Sequence, residues 1–578
     1  MQTIIKRRSQ PSDEQPLADT IPPLLQRVYR ARGITSEQQV SPDLSLLLKP
    51  QTLKGLDDAL QLLQTALQQR QRLLVVGDFD ADGATSSALA VLALRAMGAH
   101  YVDFLVPNRF EYGYGLTPEI VDVAKQFAPD LIVTVDNGIS SIEGVAAANA
   151  AGIKVLVTDH HLPGQSLPQA AAIVNPNQQG CEFASKNLAG VGVIFYLMSA
   201  LRTQLRQQGW FEQQQIPEPN MADYLDLVAL GTVADVVPLD QNNRILVAQG
   251  LRRIRAGKCR PGIKALLDVA KRSLPRLVSS DLGFAIGPRL NAAGRLDDMS
   301  LGIQCLLTDD AYLAREIAIQ MDELNQDRKS IEGGMQQEAL ASLQNLTLEE
   351  GSLPTGLCIY DANWHQGVIG ILASRIKDRY HRPVIAFADT EDENIIKGSA
   401  RSITGLHIRD ALDAVAAKHP QLLSKFGGHA MAAGMSIEKN HYAAFAKAFN
   451  DEVARQLSPE DLQAQLYSDG ELSVADFNLS QAAQLREAGP WGQHFPEPLF
   501  DGEFYLQQQR IVGSNHLKMV VSTDPEGKNI IDAIAFNINV KEWPNTEAKK
   551  VMLAYKLDVN EFRGQQSLQL MVDYLQVV

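Results

Sequence analysis

Short, unbroken apolar runs alternate with longer Ala- and Leu-rich stretches in the first third of the chain. Residues 72–77, 101–106, 131–135 and 154–158 carry few polar positions, and the pattern predicts a strand at each. Between them, 84–97, 118–127 and 141–151 predict helices, the first and last closed by Gly98 and Gly152. Strands that are apolar throughout and separated by helices predict a parallel sheet covered on both faces. Such sheets bind ligands beyond the carboxyl ends of their strands. Before this region, residues 1–50 predict an irregular arm with short helical pieces, and 53–71 a Gln/Leu-rich helix. Beyond it, 185–330 predicts mostly helix. A long polar helix is expected over 317–346, although Gly333 and Gly334 interrupt its pattern. A second α/β region is expected from 357 to 450, with strands near 356–360 and 384–387. From residue 468 short β-rich runs recur at 504–512, 516–522, 529–538, 551–559 and 567–575, which predicts a small β-barrel.

Composition narrows the class. At 578 residues the chain is too long for one core, and three or four domains are expected. Cys181, Cys259, Cys305 and Cys358 are widely spaced, which argues against structural zinc and fits a reducing cytoplasm. Neither a signal peptide nor a membrane span is expected. The net charge of −14 disfavours a generic nucleic-acid coat protein. Local charge differs. Arg252, Arg253, Arg255, Lys258, Arg260, Lys264, Lys271, Arg272 and Arg276 stand against Asp268 alone, a block that fits either a polyanion contact or a solvated helix face.

The candidate chemistry sits where the strands end. Asp78-Phe79-Asp80-Ala81-Asp82-Gly83 follows the first strand, Asp136-Asn137-Gly138 the third and Asp159-His160-His161 the fourth. Asp235, closing Gly231-Thr232-Val233-Ala234, reads as a further strand followed by an acid, and Asp130 is a weaker outlier just before a strand. Taken alone, the first motif is equally a calcium loop or a polar turn, and Asp-Asn-Gly equally a turn. Asp-His-His after a buried strand is costly unless it is used. Together, carboxylates with imidazole and no thiolate suit Mn²⁺ or Mg²⁺. Two such ions about 4 Å apart would assist hydrolysis of a phosphate ester.

These motifs, in this order, resemble those of the DHH phosphoesterases. Gly287-Pro-Arg289-Leu-Asn291-Ala-Ala-Gly294-Arg295-Leu-Asp297 is similar to their RecJ branch, and Gly398-Ser399-Ala400-Arg401-Ser402 and Gly427-Gly428-His429-Ala-Met-Ala-Ala-Gly434 resemble the associated DHHA1 domain. The resemblance covers nearly the whole chain. It implies an α/β fold with five parts: an arm (1–50), a parallel-sheet DHH domain (51–316), a connecting helix (317–346), a DHHA1 domain (347–455) and a C-terminal OB-fold barrel (466–578). It implies a 5′→3′ exonuclease that degrades single-stranded DNA to 5′-mononucleotides with two divalent cations, Mn²⁺ or Mg²⁺, in recombination and repair. Metal ligands are implied at Asp80, Asp82, Asp136, His160 and Asp235, with Asp136 as the bridge. Asp78 matches the motif as a ligand or as a residue behind the ligands, and His161 is implied to meet the scissile phosphate. Where some superfamily members carry a histidine, this chain has Val76.

Further roles follow from the same resemblance. Arg109, Arg289, Asn291 and Arg295 are phosphate or DNA candidates. Ser399 and Arg401 are candidates for anchoring a DNA 5′ end, with Gly427, Gly428 and His429 as a backbone wall beside them. A cleft between the two α/β lobes would reject duplex on width. In the barrel, Phe504, Tyr505, Tyr555 and Phe562 are either stacking residues or core. Expected partners are single-stranded DNA, a single-strand-binding protein and a RecQ-type helicase, for a cytoplasmic monomer that touches no membrane. Two other readings stand beside this one. A phosphodiesterase acting on cyclic dinucleotides, oligoribonucleotides or pyrophosphate would need neither the barrel nor the basic block. A non-catalytic scaffold would have lost its acidic positions.

Overall fold

The computed structural model describes residues 3–9, 17–107, 115–350, 353–423 and 425–578, without the side chains of 345–350 and 562. The chain forms two compact units, one of residues 7–324 with 468–578, the other of residues 1–6 with 325–467.

The first unit is built on a parallel sheet of β1 (Arg72–Gly77), β2 (Tyr101–Leu105), β3 (Leu131–Val135), β4 (Lys154–Thr158) and β5 (Ala172–Val174). Their spatial order is β2-β1-β3-β4-β5. Leu73 to Val76 and Leu131 to Val135 are buried, as strands covered on both faces must be. The order reverses between β1 and β3, so the loops leaving their carboxyl ends open a crevice there. The helix Ala81–Ala96 fills one face with small and aliphatic side chains and packs on the helices Gly190–Gln207 and Leu225–Ala234.

Two expectations change here. Gly231 to Ala234 is not a strand; it is the last turn of the helix Leu225–Ala234, and Asp235 caps that helix. A short apolar run fits a buried helix as well as a buried strand, and here it packs on the helices Ala81–Ala96, Gly190–Gln207 and Gln241–Arg255. Asp130 lies at the opposite edge of the sheet, where its carboxylate accepts from the Arg72 N–H at 2.8 Å.

The arm is not separate from this unit. Leu24, Leu25, Val28 and Tyr29 are buried in the same core as the sheet and barrel residues. The C-terminal strands Phe500–Val512, His516–Ser522, Ile530–Ala535, Lys550–Phe562 and Gln565–Val577 close into the expected five-stranded barrel. Phe504 and Tyr555 are buried in its core, packed edge-to-face at 5.4 Å and joined by Phe477, so neither is available for base stacking. Tyr505 lies under the Lys550 ammonium, and the Phe562 side chain is outside the described residues. Among the described residues the exposed aromatic on the barrel is Phe536, 48% accessible and packed against His516.

In the second unit, β6 (Leu357–Tyr360), β7 (Val384–Asp389), β8 (Ile395–Arg401), β9 (Lys425–Gly428) and β10 (Ala432–Glu438) form a mixed sheet in the order β9-β10-β8-β7-β6. The glycine-rich stretches around Ser399 and Gly428 are strands of this sheet. The long helix extends further than expected, over Ala311–Glu350, and runs through both Gly333 and Gly334. Among the described residues no helix is long and apolar enough to cross a membrane.

Candidate metal centre

β1 delivers the chain into the first acidic loop. Asp80 is the N-cap of the helix Ala81–Ala96, its Oδ1 accepting from the N–H groups of Asp82 at 2.9 Å and Gly83 at 3.0 Å. Asp78 Oδ1 accepts from the Phe79 N–H at 2.7 Å. Gly83 sits so close to this turn that a Cβ there would lie 2.4 Å from the Asp78 carbonyl oxygen. Asp82 is buried and both its oxygens accept backbone N–H groups, from Gly190 at 2.6 Å and Val191 at 3.0 Å, at the start of the helix Gly190–Gln207. Burial first, then the Asp80 charge, still push its carboxyl up to about 7.

Asp136 leaves β3 in the left-handed region, at φ 61°, and is 2% exposed. The neighbouring Asn137 amide donates to the carbonyls of Val76 at 3.0 Å and Val135 at 2.9 Å, which ties the ends of β1 and β3 together. Gly190 packs on Asp136 so tightly that a Cβ would lie 2.5 Å from the Asp136 Cβ. Beyond β4, His160 Nε2 lies 3.1 Å from Asp136 Oδ1 and 3.5 Å from Asp235 Oδ2. Three sets of side chains bring possible ligand atoms within 4.8 Å of one another: Asp78, Asp80 and Asp136; Asp82, His160 and Asp235; Asp136, His160 and His161. Asp136 and His160 each belong to two of them. Asp136 and Asp235 are held well above the usual carboxylate range, by burial first and then by the crowd of neighbouring acids. Buried carboxylates that repel one another, with imidazole among them, fit a pair of hard divalent cations. Val76 is buried within the sheet core and adds no ligand.

Asp159 plays a different part. One oxygen accepts from the Ile139 N–H at 2.9 Å; the other accepts from the N–H groups of His160 and His161 and meets His161 Nδ1 at 2.8 Å. Burial raises this carboxyl, but the hydrogen bond and charge of His161 outweigh it and hold it low. Burial likewise lowers the His161 ring, yet the Asp159 contact prevails and lifts it to about 9, so the imidazole is a cation at neutral pH. The amides of Asn175 and Asn177 donate to the carbonyls of His161 at 2.9 Å and His160 at 2.6 Å.

The phosphate candidates are placed less uniformly. Asn291 Oδ1 accepts from the Ala81 N–H at 2.8 Å, so its carbonyl braces the metal loop. Gly294 lies against the Phe79 carbonyl, 1.9 Å from where its Cβ would be. Arg289 pairs with Asp322 at 2.7 Å and donates to the Ala285 carbonyl, so its guanidinium is already engaged. Arg295, half-buried, is in the last turn of the same helix, Gly287–Leu296. Arg109 lies outside the described residues. In the second unit the strand register pairs Ser399 with Gly434 and Gly434 with Gly427, and Cβ atoms at either glycine would meet open space. Arg401 donates to Ser399 Oγ at 3.1 Å, and both side chains pack on Gly370 at the start of the helix Ile369–Tyr380. Gly428, at φ 151°, fits against Ala432 and Ala433, while the His429 N–H donates to the Ala432 carbonyl at 2.8 Å.

Two residues that shape the centre, Gly190 and Val191, were not singled out in the sequence; they supply the N–H pair for Asp82. Gly231, named there only as part of the Asp235 motif, leaves room for that same carboxylate, 2.7 Å from where its Cβ would be. The signal was present as Ala189-Gly190-Val191-Gly192 opening a helix, a sequence suited to receiving an anion.

Comparison with known proteins agrees with this geometry. Residues 72–232 match the DHH family, N-terminal domain; 354–455 match the DHHA1 domain; 468–574 match the RecJ OB domain. The chain is 57% identical over 568 residues to the single-stranded-DNA-specific exonuclease RecJ of Salmonella typhimurium, covering 98% of both chains. It is 56% identical to that of Escherichia coli, covering 99% of both. The crystal structure of RecJ in complex with Mn²⁺ from Thermus thermophilus is similar at TM-score 0.76 and 30% identity, covering 97% of this chain and 76% of that one. A Mg²⁺ complex of the same protein matches at TM-score 0.72 and 28% identity, covering 97% and 75%. With curated relatives of this identity matched end to end, the chain belongs to the RecJ family of DHH/DHHA1 exonucleases.

Proposed function

We propose that this chain removes 5′-mononucleotides from single-stranded DNA in the 5′→3′ direction by two-metal-ion hydrolysis, in DNA recombination and repair. The observation that carries the reading is the convergence of Asp78, Asp80, Asp82, Asp136, His160 and Asp235 at the ends of β1, β3 and β4 and at the cap of the helix Leu225–Ala234. Asp80, Asp82, Asp136, His160 and Asp235 would hold two Mn²⁺ or Mg²⁺ ions, with Asp136 shared. When bound, such ions make a water nucleophilic near neutral pH and offset charge on the scissile phosphate. The protein's own groups do the rest. Asp159 fixes the His161 ring through Nδ1 and keeps it protonated, so its other nitrogen can donate to a phosphate oxygen. Asn175 and Asn177 hold the backbone of both histidines against rotation.

Polarity is assigned to the second unit. Ser399 and Arg401, floored by Gly427 and Gly434 and bounded by Gly428 and His429, suit a terminal phosphate: a guanidinium fork beside backbone that a strand can approach closely. Arg295 remains a candidate for a phosphate nearer the metals, and Arg109, outside the described residues, a phosphate candidate. Arg289 and Asn291 act through position, the first by its pairing with Asp322 and the second by bracing the Asp78–Asp82 loop. The barrel is assigned to tracking the strand, the usual role of an OB-fold. A single-strand-binding protein and a RecQ-type helicase are the proposed partners of a cytoplasmic monomer.

The test is Asp136→Ala. Hydrolysis of an end-labelled single strand in Mn²⁺ should fall to background while the circular-dichroism spectrum and strand binding persist. Undiminished turnover would end the assignment.

A further inference from the structure

Four of the nine basic residues between 252 and 276 are paired within the fold. Arg253 pairs with Asp223, Arg260 with Asp309, Arg272 with Asp281 and Arg276 with Glu561. Arg252 and Arg255 differ. They line a cavity of about 370 Å³ together with Arg244, from the same helix Gln241–Arg255, and Arg486, from the helix Leu479–Glu487. Glu487 is the one acidic residue on the cavity wall among the described residues. None of the four guanidinium groups makes an ion pair among the described residues.

Three of them are held by carbonyls, which fix their geometry without cancelling their charge. Arg244 donates to Leu239 and Gln39, both at 2.8 Å, and lies 4.2 Å over the Phe495 ring, forming a rigid floor. Arg255 donates to Leu277 at 2.7 Å and Arg486 to Arg276 at 3.0 Å. The Arg252 side chain is exposed and donates no hydrogen bond among the described residues. Burial holds the Arg255 guanidinium below its usual range; the Glu487 charge opposes it, and the nearby Arg486 and Arg252 add to it. Four cations facing one carboxylate stand out in a chain of net charge −14. Such a group repels itself unless an anion joins it.

We propose that this cavity binds a phosphate group, at a site separate from the metal centre. Guanidinium forks pre-positioned by carbonyls match the oxygens of a phosphate and donate to them bidentately. The helix Gln241–Arg255 is about 20 Å long, and Arg252 and Arg255 lie at the end remote from Asp235. The phosphate has two possible sources: the backbone of a bound strand beyond the reacting end, or a free nucleotide such as the mononucleotide product. The strand source rests on the nuclease reading above; the site itself does not.

The experiment compares the parent with Arg252→Ala/Arg486→Ala in the full chain without added divalent metal, so that hydrolysis plays no part and failure of the nuclease reading leaves the result intact. Thymidine 5′-monophosphate and inorganic phosphate are titrated by calorimetry. Oligothymidylates of about 5 and about 30 nucleotides are titrated across a salt series. If the source is a free nucleotide, monophosphate affinity falls roughly tenfold or more per guanidinium removed. If it is the strand, the slope of log K against log salt becomes shallower by about 1.4 for the long oligomer, about 0.7 per lost contact, and is unchanged for the short one. Either result supports the site. Unchanged nucleotide affinity together with an unchanged slope overturns it. Should the double variant melt early, the exposed Arg252→Gln alone carries the same readouts, with about half the change in slope.

Discussion

At the scale of single residues, the metal centre depends as much on absent side chains as on present ones. Gly190 and Gly231 leave the space that the carboxylates of Asp136 and Asp82 occupy. Replacing Gly190 with Ala places a methyl 2.6 Å from Asp136 Oδ1, and the backbone of a long helix cannot yield easily. We expect Gly190→Ala to cost about 1–3 kcal/mol of stability, as overpacking does. Mn²⁺ affinity should fall roughly 10- to 100-fold, the usual effect of disturbing groups that orient ligands. Calorimetric Mn²⁺ titration beside thermal melting checks both. Asp136 and His160 were legible as residues because their motifs follow apolar strands. The role of Gly190 was not, because its contact partner is 54 positions earlier in the chain.

Elements were read well where one pattern admitted one structure. The strands β1 to β4 are apolar throughout and sit between helices, which leaves a parallel sheet as their natural arrangement. Asp235 was misplaced because a short apolar run does not reveal its period, and packing alone made it helical. The glycine-rich strands β8, β9 and β10 were hidden for the opposite reason. Their glycines look like turn signals, yet paired backbones there present an open face at Gly427 and Gly434. The helix Ala311–Glu350 gives a test at this scale. Cβ atoms at Gly333 and Gly334 would meet nothing within 4 Å. Each Gly→Ala change should therefore stabilise the protein by about 0.5–1 kcal/mol, through helix propensity and a less free unfolded chain. Chemical denaturation measures it, and a loss of stability at either position would show that the helix interior is used there.

Across the whole molecule, stability, protonation and metal loading are linked. Asp82 is pushed up to about 7, and Asp136 and Asp235 are raised well above the ordinary range. A carboxyl raised in the folded state contributes stability that is fully present below its unfolded pKa, near 4, and is lost as pH rises through the folded value. The metal-free protein should therefore lose stability as pH climbs from about 4 past 7. His161, lifted to about 9, adds a contribution that is fully present below its unfolded value of 6.5 and is lost as pH rises through about 9. Mn²⁺ binds the ionised carboxylates and favours the folded state by mass action. The melting temperature with Mn²⁺ minus that without should widen between about pH 6 and about pH 8. A constant or shrinking difference would mean that the acids do not titrate against the ions.

The sequence by itself determined the parallel sheet, the β-barrel and the identity of the acids and histidines. Apolar periodicity is local, and strand ends are where a parallel sheet exposes polar groups. Only the tertiary structure decided which of those groups meet, that Arg289 is spent on Asp322, that Phe504 and Tyr555 are barrel core, and that four arginines share one cavity. Each of these is a contact between segments distant in sequence, set by how whole elements pack, and no local pattern encodes it.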